Sequence, residues 1–390
     1  MSHAAYHPRR VFKEGLSAVS FRRLLQPLTK SLASAPPLEA RGNRPLQMTF
    51  EDQLNILIYF HLEEHTSGRH LLQVLTEEDF ARNHVAPVAG IKKSSFFEAL
   101  GSRGLEQLIH VYEELQNQAR QALPAALSHL GDLIAIDGSR IDAVLSMDWA
   151  TYQEGSKKAK VHLGFDLNRG IPQQLFLTDA NADERAFVSR IMQPGQTGVM
   201  DRGYQQYAQF DQWQSEDRHF ICRIRNNSQK TIMKEHDVPP GGPIFFDALV
   251  LLGIEGTNQT RKPVRLVGYR VDDKNYWIAT DRHDLTAQEI ADAYRLRWNI
   301  ETFFGWWKRH LKVYPLLSRS REGLMTQILG GLITYLLLAI YCHEEHGERV
   351  SIKRVRELRS KIRNEAAILS NVAPEAESQR HWTGTVPAKT

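Results

Sequence analysis

Four polar side chains near residue 300 have the types and the spacing needed for chemistry on a phosphate group. Tyr294, Arg297, Glu301 and Lys308 are separated by 3, 4 and 7 residues. On one continuous α-helix, where each residue turns by about 100°, they would fall within roughly 60° of arc. A carboxylate flanked by two cations and a phenol suits a site that holds a metal ion beside a phosphate backbone. The sequence therefore predicts one helix with a polar stripe on a largely apolar, aromatic surface.

Two aspartates upstream supply further carboxylates. The sequence predicts that Asp137 ends one buried strand and that Asp201 ends another. Transfer of phosphodiesters uses two Mg²⁺ ions about 4 Å apart, and such ions take oxygen ligands. Asp137 would bridge both ions, Asp201 would bind one and Glu301 the other, and Mn²⁺ can substitute. A lone aspartate at a strand end is more often a turn residue, but three acids in one fold order favour the metal site.

The cations and the aromatic residues have separate expected roles. Arg297 can bind a phosphate with its planar fork, Lys308 can contact the next phosphate, and the hydroxyl of Tyr294 can donate to a phosphate oxygen. The alternative is that they pair with nearby acids on a solvated helix. An exposed tryptophan beside such a site can stack on an unpaired base. For Trp277 and Trp298 both stacking and simple packing stay open.

The elements that must position these residues follow an α/β order. Three strand-like runs begin at Leu133, Val161 and Gln174 and suggest an antiparallel meander. A helix, a strand ending at Asp201, a second helix and a further strand from His219 come next. This order predicts an RNase H-like α/β core. Its last part is the helix that carries Glu301, which we expect to begin at the capping box Thr286-Ala-Gln-Glu289.

The remaining segments complete the predicted domain organisation. Residues 1–128 form a helical N-terminal DNA-binding domain, in which Lys92-Lys93-Ser-Ser precedes a short helix that fits a helix-turn-helix or a plain helical bundle equally well. The catalytic core comprises 129–225 and 281–345, and 226–280 form a β-rich insertion. Residues 346–390 contain a basic helix and a polar C-terminal tail, which we expect to be disordered from Val372.

The charge of the chain is modest but clustered. The 390 residues carry a net charge of +4. Between Arg295 and Glu322 there are seven Arg or Lys against two Glu, and a second basic run extends from Lys353 to Arg363. Clustered cations favour a polyanionic partner such as double-stranded DNA. For the second run a solvated helix face is an equally good explanation.

Several other classes of protein find little support. Two cysteines exclude a disulfide framework and a cysteine-rich zinc site, and they suit the reducing cytoplasm. The N-terminus lacks the apolar run of a signal peptide. Leu324 to Cys342 contains no charge over 19 residues, and we expect a buried core helix rather than a membrane anchor. His61-Leu-Glu-Glu64-His65 has the spacing of a zinc protease motif, but we expect a polar helix surface.

The motifs together resemble those of a known family. Tyr294-x-x-Arg297-x-x-x-Glu301-x-x-x-x-x-x-Lys308 looks like the Y-R-E-K signature of the insertion-sequence four family of bacterial DDE transposases. Asp137-Gly-Ser and Asp201-Arg-Gly-Tyr look like the first and second acid motifs of that family. The resemblance covers about residues 130–345 and includes the β-rich insertion.

This resemblance implies specific roles. The three acids would form the metal-binding triad, and Tyr294, Arg297 and Lys308 would contact the phosphates of the transposon end. Trp277 is similar in position to the tryptophan that stacks on a flipped base during hairpin formation, and Trp298 would support the same event. The family further implies a homodimer acting on paired ends, terminal repeats bound by the N-terminal helices, and cut-and-paste transfer. A hydrolytic nuclease of the same fold and a catalytically silent DNA-binding regulator are the alternatives.

Overall fold

A computed structural model of the protein describes residues 18–38, 46–63, 65–143, 147–153, 156–311 and 313–378. Two terminal ranges that our predictions concern lie outside this part. They are residues 1–17, where we expect no signal peptide, and residues 379–390, the end of the expected tail. Within it, seven α-helices precede the first strand: α1 (Val19–Leu25), α2 (Leu28–Ala33), α3 (Phe50–Leu62), α4 (Gly68–Glu77), α5 (Asp79–His84), α6 (Lys93–Ser102) and α7 (Leu105–Ala122).

Helix α3 shows how the sequence starts these helices. The side chain of Thr49 accepts a hydrogen bond from the backbone of Asp52, and the carboxylate of Asp52 accepts one from the backbone of Thr49. This capping box satisfies donors that the first turn would otherwise leave unpaired. Nearly every residue of α3 is buried, because α3 packs inside the protein rather than at its surface.

Both histidines of the zinc-protease spacing are buried, His61 within α3 and His65 after its end, so our expectation of a polar helix surface is wrong. The Nδ1 atom of His61 contacts the carbonyl oxygen of Leu311, and its Nε2 atom lies 2.9 Å from that of Gln327. Burial lowers the pKa of His61 to about 4. Glu64 lies outside the described residues. Within the described part of the chain, no group of three or more His, Cys, Asp or Glu residues is arranged to hold a metal ion.

The first six strands form one side of a mixed sheet. They are β1 (Leu133–Ala143), β2 (Thr151–Gln153), β3 (Ser156–Asp166), β4 (Ile171–Asp179), β5 (Thr197–Met200) and β6 (His219–Ile224). Strand β3 pairs antiparallel with both β1 and β4, whereas β1, β5 and β6 run parallel in that order. Helices α8 (Val188–Ile191) and α9 (Tyr207–Ser215) lie in the connections between the parallel strands, as parallel pairing requires. This mixed α/β arrangement agrees with the predicted RNase H-like order.

Residues 226–280 are rich in strands, and these strands extend the central sheet. The last of them pairs with β6, and the other three follow outward to give ten strands in one sheet. The first of them was not predicted from the sequence. Its residues are almost all exposed, so no buried pattern indicates a strand there. These strands are β7 (Lys230–Glu235), β8 (Ile244–Leu252), β9 (Val264–Val271) and β10 (Lys274–Thr280).

The predicted continuous helix is in fact two helices. The capping box of Thr286 and Glu289 opens α10 (Ala287–Arg295), but the residue that carries the third acid belongs to α11 (Trp298–His310). At the junction, Arg297 donates to the carbonyl of Tyr294 and Ile300 donates to that of Arg297. These are three-residue hydrogen bonds of the 3₁₀ type, which tighten the chain locally. The prediction of one unbroken helix is therefore wrong at this turn.

The uncharged stretch forms a core helix, as predicted. Helix α12 (Arg321–His346) is long and apolar enough to span a membrane, with a mean hydropathy of 1.8, yet 94% of its most apolar window is buried inside the protein. A Cβ atom on Gly331 would lie 3.0 Å from Nε1 of Trp307, so the glycine lets α11 pack closely on α12. Helix α13 (Ile352–Ser378) follows. We predict disorder from Val372 onward, but α13 continues to Ser378, so the prediction is wrong for residues 372–378.

Candidate active site

Asp137 lies within β1, and Asp201 directly follows the end of the neighbouring parallel strand β5. In the parallel pair, Ala135 is the partner of Val199, and two further residues along each strand bring Asp137 level with Asp201. Adjacent strands lie about 4.8 Å apart, so the two carboxylates share one edge of the sheet. The prediction that β1 ends at Asp137 is wrong. The strand continues to Ala143 because β3 is long enough to pair with it throughout.

Side-chain alternation directs both aspartates to the face that α11 covers. Leu133, Ala135 and Val199 belong to the same buried cluster as Ile300 of α11, whereas Ile136 and other residues of the opposite alternation pack with α8 and α9. Successive residues of a strand point to opposite faces. Asp137 and Asp201 therefore follow the first set. We call these two residues the strand half of the site.

Each aspartate is fixed through one oxygen. The Oδ1 atom of Asp137 accepts a hydrogen bond of 2.8 Å from the backbone of Gly138, and that of Asp201 accepts one of 2.8 Å from Gly203. Within the described part of the chain, the second oxygen of each carboxylate makes no hydrogen bond. The pKa of Asp137 is raised to about 7, mainly by burial and also by the charges of Asp201 and Glu184, against the opposing effects of Gly138 and Arg297.

Glu184 is a neighbouring acid that the sequence analysis did not single out. It lies just after β4, where Asp183 caps a short 3₁₀ turn. Its Oε1 atom is 2.9 Å from Nζ of Lys160, and a Cβ atom on Gly138 would lie 2.8 Å from the same oxygen. Because Gly138 has no side chain, the carboxylate of Glu184 can approach β1 on the face of the sheet opposite α11. The small residue after Asp137 is the only sequence signal of this approach.

The residues around α11 form the helix half of the site, which we define as Arg297, Glu301 and Lys308. The Nη2 atom of Arg297 is 2.6 Å from Oε1 of Glu301, and its guanidinium lies 5.8 Å from the ring centroid of Tyr294. Tyr294 is buried, which raises the pKa of its hydroxyl. The Nζ atom of Lys308 donates to the carbonyl oxygen of Arg140 at 2.5 Å. All three charged groups therefore have partners within the protein.

Helix α11 lies against β1. The Nζ atom of Lys308 contacts the carbonyl oxygen of Arg140, three residues after Asp137 on that strand. The charge of Arg297 lowers the pKa of Asp137, against the larger effect of burial, so this cation also acts on the strand half. Because Arg297 pairs with Glu301, the same end of α11 carries the third acid.

The two tryptophans occupy different environments. Trp277 on β10 is half-buried, with the rings of Phe245 and Phe246 at 5.3 and 5.2 Å and Nζ of Lys230 4.6 Å above its own ring. Trp298 is 63% exposed at the first turn of α11. Trp298 therefore has a ring face available for stacking, whereas Trp277 is already enclosed by aromatic rings and a lysine.

The donor set fits a hard divalent cation. The acids offer only carboxylate oxygens, and one oxygen on each of Asp137, Asp201 and Glu301 makes no hydrogen bond within the described part of the chain. Oxygen ligands without thiolate or imidazole suit Mg²⁺ or Mn²⁺ better than Zn²⁺. The three acids do not yet converge as a ligand cluster, since Glu301 is turned to Arg297.

Known proteins with similar sequences are named as transposases. A Sinorhizobium fredii protein so named is 27% identical over 211 residues, which are 53% of this chain and 59% of the relative. A Geobacillus stearothermophilus protein, named for insertion sequence element IS5377, is 22% identical over 49% of this chain and 52% of its own length. A Synechocystis protein, named for element IS4SA, is 20% identical over 59% and 66%. The chain thus matches about half to two thirds of the length of these relatives.

A family model covers the region that contains the strand half and the helix half. The model describes the transposase DDE domain and matches residues 128–337, which is more than half of the chain. The matched segment begins just before β1 and includes Asp137, Asp201 and Glu301. Together with the named relatives, this match shows that the chain belongs to the family of DDE insertion-sequence transposases.

Proposed function

We propose that this protein is the DNA transposase of an insertion sequence, which binds the terminal repeats, cleaves the element ends and joins the 3′-hydroxyls to target DNA. The observation that supports the proposal is that Asp137 lies in β1 and Asp201 directly follows the parallel neighbour β5, while α11, which carries Glu301, contacts β1 through Lys308. Catalysis by carboxylates on adjacent parallel strands and a following helix accounts for this arrangement. Its membership of the insertion-sequence four group rests on the Y-R-E-K signature.

In this proposal Asp137, Asp201 and Glu301 hold two Mg²⁺ ions. When bound, these ions would activate the attacking oxygen and stabilise the leaving oxygen of the phosphodiester. Glu301 would have to turn its carboxylate from Arg297 toward the aspartates. The guanidinium of Arg297 would then be available for a phosphate oxygen, and its planar fork suits two such contacts. Binding of metal and binding of DNA would thereby support each other.

The other residues would hold the DNA. Lys308 and the hydroxyl of Tyr294 would contact neighbouring phosphates of the transposon end. The exposed ring of Trp298 would stack on an unpaired base, and Trp277 would do so if hairpin formation occurs. The helices before β1 would bind the terminal repeats, and two copies would act together on paired ends. A bacterial transposase of this kind would work in the cytoplasm, where its DNA lies.

Strand cleavage is the experiment that tests the proposal. The protein would be incubated with Mg²⁺ and a duplex that spans the junction between the element end and its flank. We expect a nick at the junction, followed by joining of the 3′-end to a second DNA. Glu301→Gln should abolish both reactions. Glu235→Gln, which removes a carboxylate from an exposed position on β7, is the matched control and should keep them.

Two outcomes would support the alternatives. Metal-dependent cleavage without joining would favour a nuclease of the same fold. Specific binding of the element end without cleavage by the wild-type protein would favour a DNA-binding regulator. Either result would overturn the assignment as a transposase.

A further inference from the structure

A broad groove is formed by elements that follow Asp201 in the chain. It has a volume of about 940 Å³ and is formed by the segment after β5, helix α9, the end of β6 and the loop between β8 and β9. The chain enters it at Gln205, only four residues after Asp201. Residues that define its polar character are Gln205, Tyr207, Asp211, Arg225, Arg261 and Lys262.

Three cations give this groove a positive surface. Arg225, Arg261 and Lys262 are exposed, and within the described part of the chain none of their side chains forms an ion pair. One carboxylate lies among them, but Asp211 accepts hydrogen bonds of 2.9 Å from the backbone nitrogens of Arg261 and Lys262. It therefore anchors the loop to α9, while the cationic side chains extend into the solvent. Unpaired, exposed cations in a concave surface suit a polyanion.

The backbone of the loop is held in a defined shape. Gly253 has φ of 105°, and a Cβ atom there would lie 2.6 Å from the carbonyl oxygen of Asn258. Only glycine fits this turn. The hydroxyl of Thr260 accepts a hydrogen bond of 3.1 Å from the backbone of Leu252. On the other side of the groove, the backbone of Arg225 donates to Oε1 of Gln205 at 2.9 Å. The cations are thus carried by a backbone ordered before any ligand arrives.

The groove and α11 flank the acids from opposite sides. In the strand order β1-β5-β6, Asp137 lies on the first strand, Asp201 just beyond the second and Arg225 just beyond the third. Helix α11 packs on one face of the sheet, and α9, which forms a wall of the groove, packs on the other. A duplex whose scissile phosphate lies at the two aspartates would pass over the sheet edge. Its two arms would then meet the cations of α11 and those of the groove.

We propose that this groove binds the phosphate backbone of the flanking DNA, on the far side of the cleavage point from the element end. The inference rests on the proposed function, because it presupposes an element end held beside α11. The charge, the ordered backbone and the position next to Asp201 support a DNA strand as the occupant. The groove would hold the flank before cleavage and would have no role in holding an end that has already been cut.

Binding measurements on two duplexes test this assignment. One duplex spans the element end and its flank, and the other stops at the junction. In a triple variant, Arg225→Gln, Arg261→Gln and Lys262→Gln, we expect affinity for the flanked duplex to fall by about 10-fold or more. The slope of log affinity against log salt should become shallower by about 2 to 3, because each phosphate contact contributes about 0.9. Binding of the pre-cut end should not change.

A second triple variant controls for the loss of charge. Arg190→Gln, Lys234→Gln and Lys274→Gln remove three exposed cations elsewhere and should bind both duplexes as the wild type does. Equal losses on both duplexes in the groove variant, or no loss on either, would overturn the inference and leave the transposase assignment intact. Failure of the wild-type protein to recognise the element end in either duplex would overturn the proposed function and the inference with it. An unchanged unfolding midpoint of the triple groove variant would show that it remains folded, and Arg225→Gln alone should show a smaller loss of the same kind.

Discussion

At the edge of β1 and β5, carboxylates of like charge lie close together, whereas around α11 each charge has a partner in the protein. Asp137 is near both Asp201 and Glu184, and burial keeps its pKa at about 7. On the helix half, Arg297 pairs with Glu301 and Lys308 donates to a backbone carbonyl. Burial of Asp137, with a smaller contribution from its acidic neighbours, thus destabilises the ionised strand half until a cation binds, whereas the charges of the helix half are already paired. Substitutions in the two halves should therefore have opposite effects on stability.

The largest effect is expected from Asp137→Asn. The variant should lose DNA cleavage by about 10³-fold or more, since removing one member of a catalytic unit costs on that order. It should also unfold at a higher temperature than the wild type in EDTA at about pH 8, because the amide needs no proton to be buried. Thermal unfolding with and without Mg²⁺ would check this, and the wild type alone should gain stability from the ion.

The pH dependence of the free energy of unfolding tests the cost of ionising Asp137 more directly. The folded protein holds a proton on Asp137 up to about pH 7, while the unfolded chain releases it near about pH 4. The unfolded state therefore binds fewer protons between these values, and the free energy of unfolding should fall as pH rises through this window. The loss would be on the order of 2 to 4 kcal/mol, at about 1.4 kcal/mol for each pKa unit.

Chemical denaturation in EDTA from about pH 4 to about pH 8 would measure this fall. Asp137→Asn should flatten the curve over that window, because it removes the group that titrates. If the free energy of unfolding falls equally with pH in the variant and in the wild type, another residue causes the pH dependence. Ionised Asp137 would then not destabilise the fold.

The sequence predicted the helix half more completely than the strand half, for a physical reason. The spacing of Tyr294, Arg297 and Glu301 is a local property, so it identified neighbours correctly even though the helix breaks between them. The order of strands in the core followed from local hydrophobic runs in the same way. Membership of the DDE transposase family, suggested by these motifs, is confirmed.

The features that the sequence did not reveal depend on contacts between residues that are far apart along the chain. Strand β1 continues past Asp137 because β3 pairs with it, and Glu184 reaches the site because Gly138 leaves a gap. Neither fact has a signature within a few residues. The burial of His61 likewise depends on carbonyls about 250 and 266 residues away. Roles of the individual site residues stay predictions.

The smallest effect is expected from the helix half, through Arg297→Ala. Removing the guanidinium leaves the carboxylate of Glu301, 35% exposed, without its partner, and should lower the free energy of unfolding by about 1 kcal/mol. This is opposite in sign to the stabilisation expected for Asp137→Asn, and it should not depend on Mg²⁺ in the same way. Arg297→Lys keeps the charge without the planar fork and should recover part of the stability.

Measurements of DNA binding on the same variants separate pairing from phosphate contact. If Arg297 binds a phosphate, Arg297→Ala should make the salt dependence of binding to the element end shallower by about one contact, and Arg297→Lys should restore the slope but not the full affinity. If Arg297→Ala lowers stability while leaving the salt dependence unchanged, the arginine serves only to hold Glu301. Arg297 would then have a structural role only, and Lys308 and Tyr294 would have to bind the phosphate.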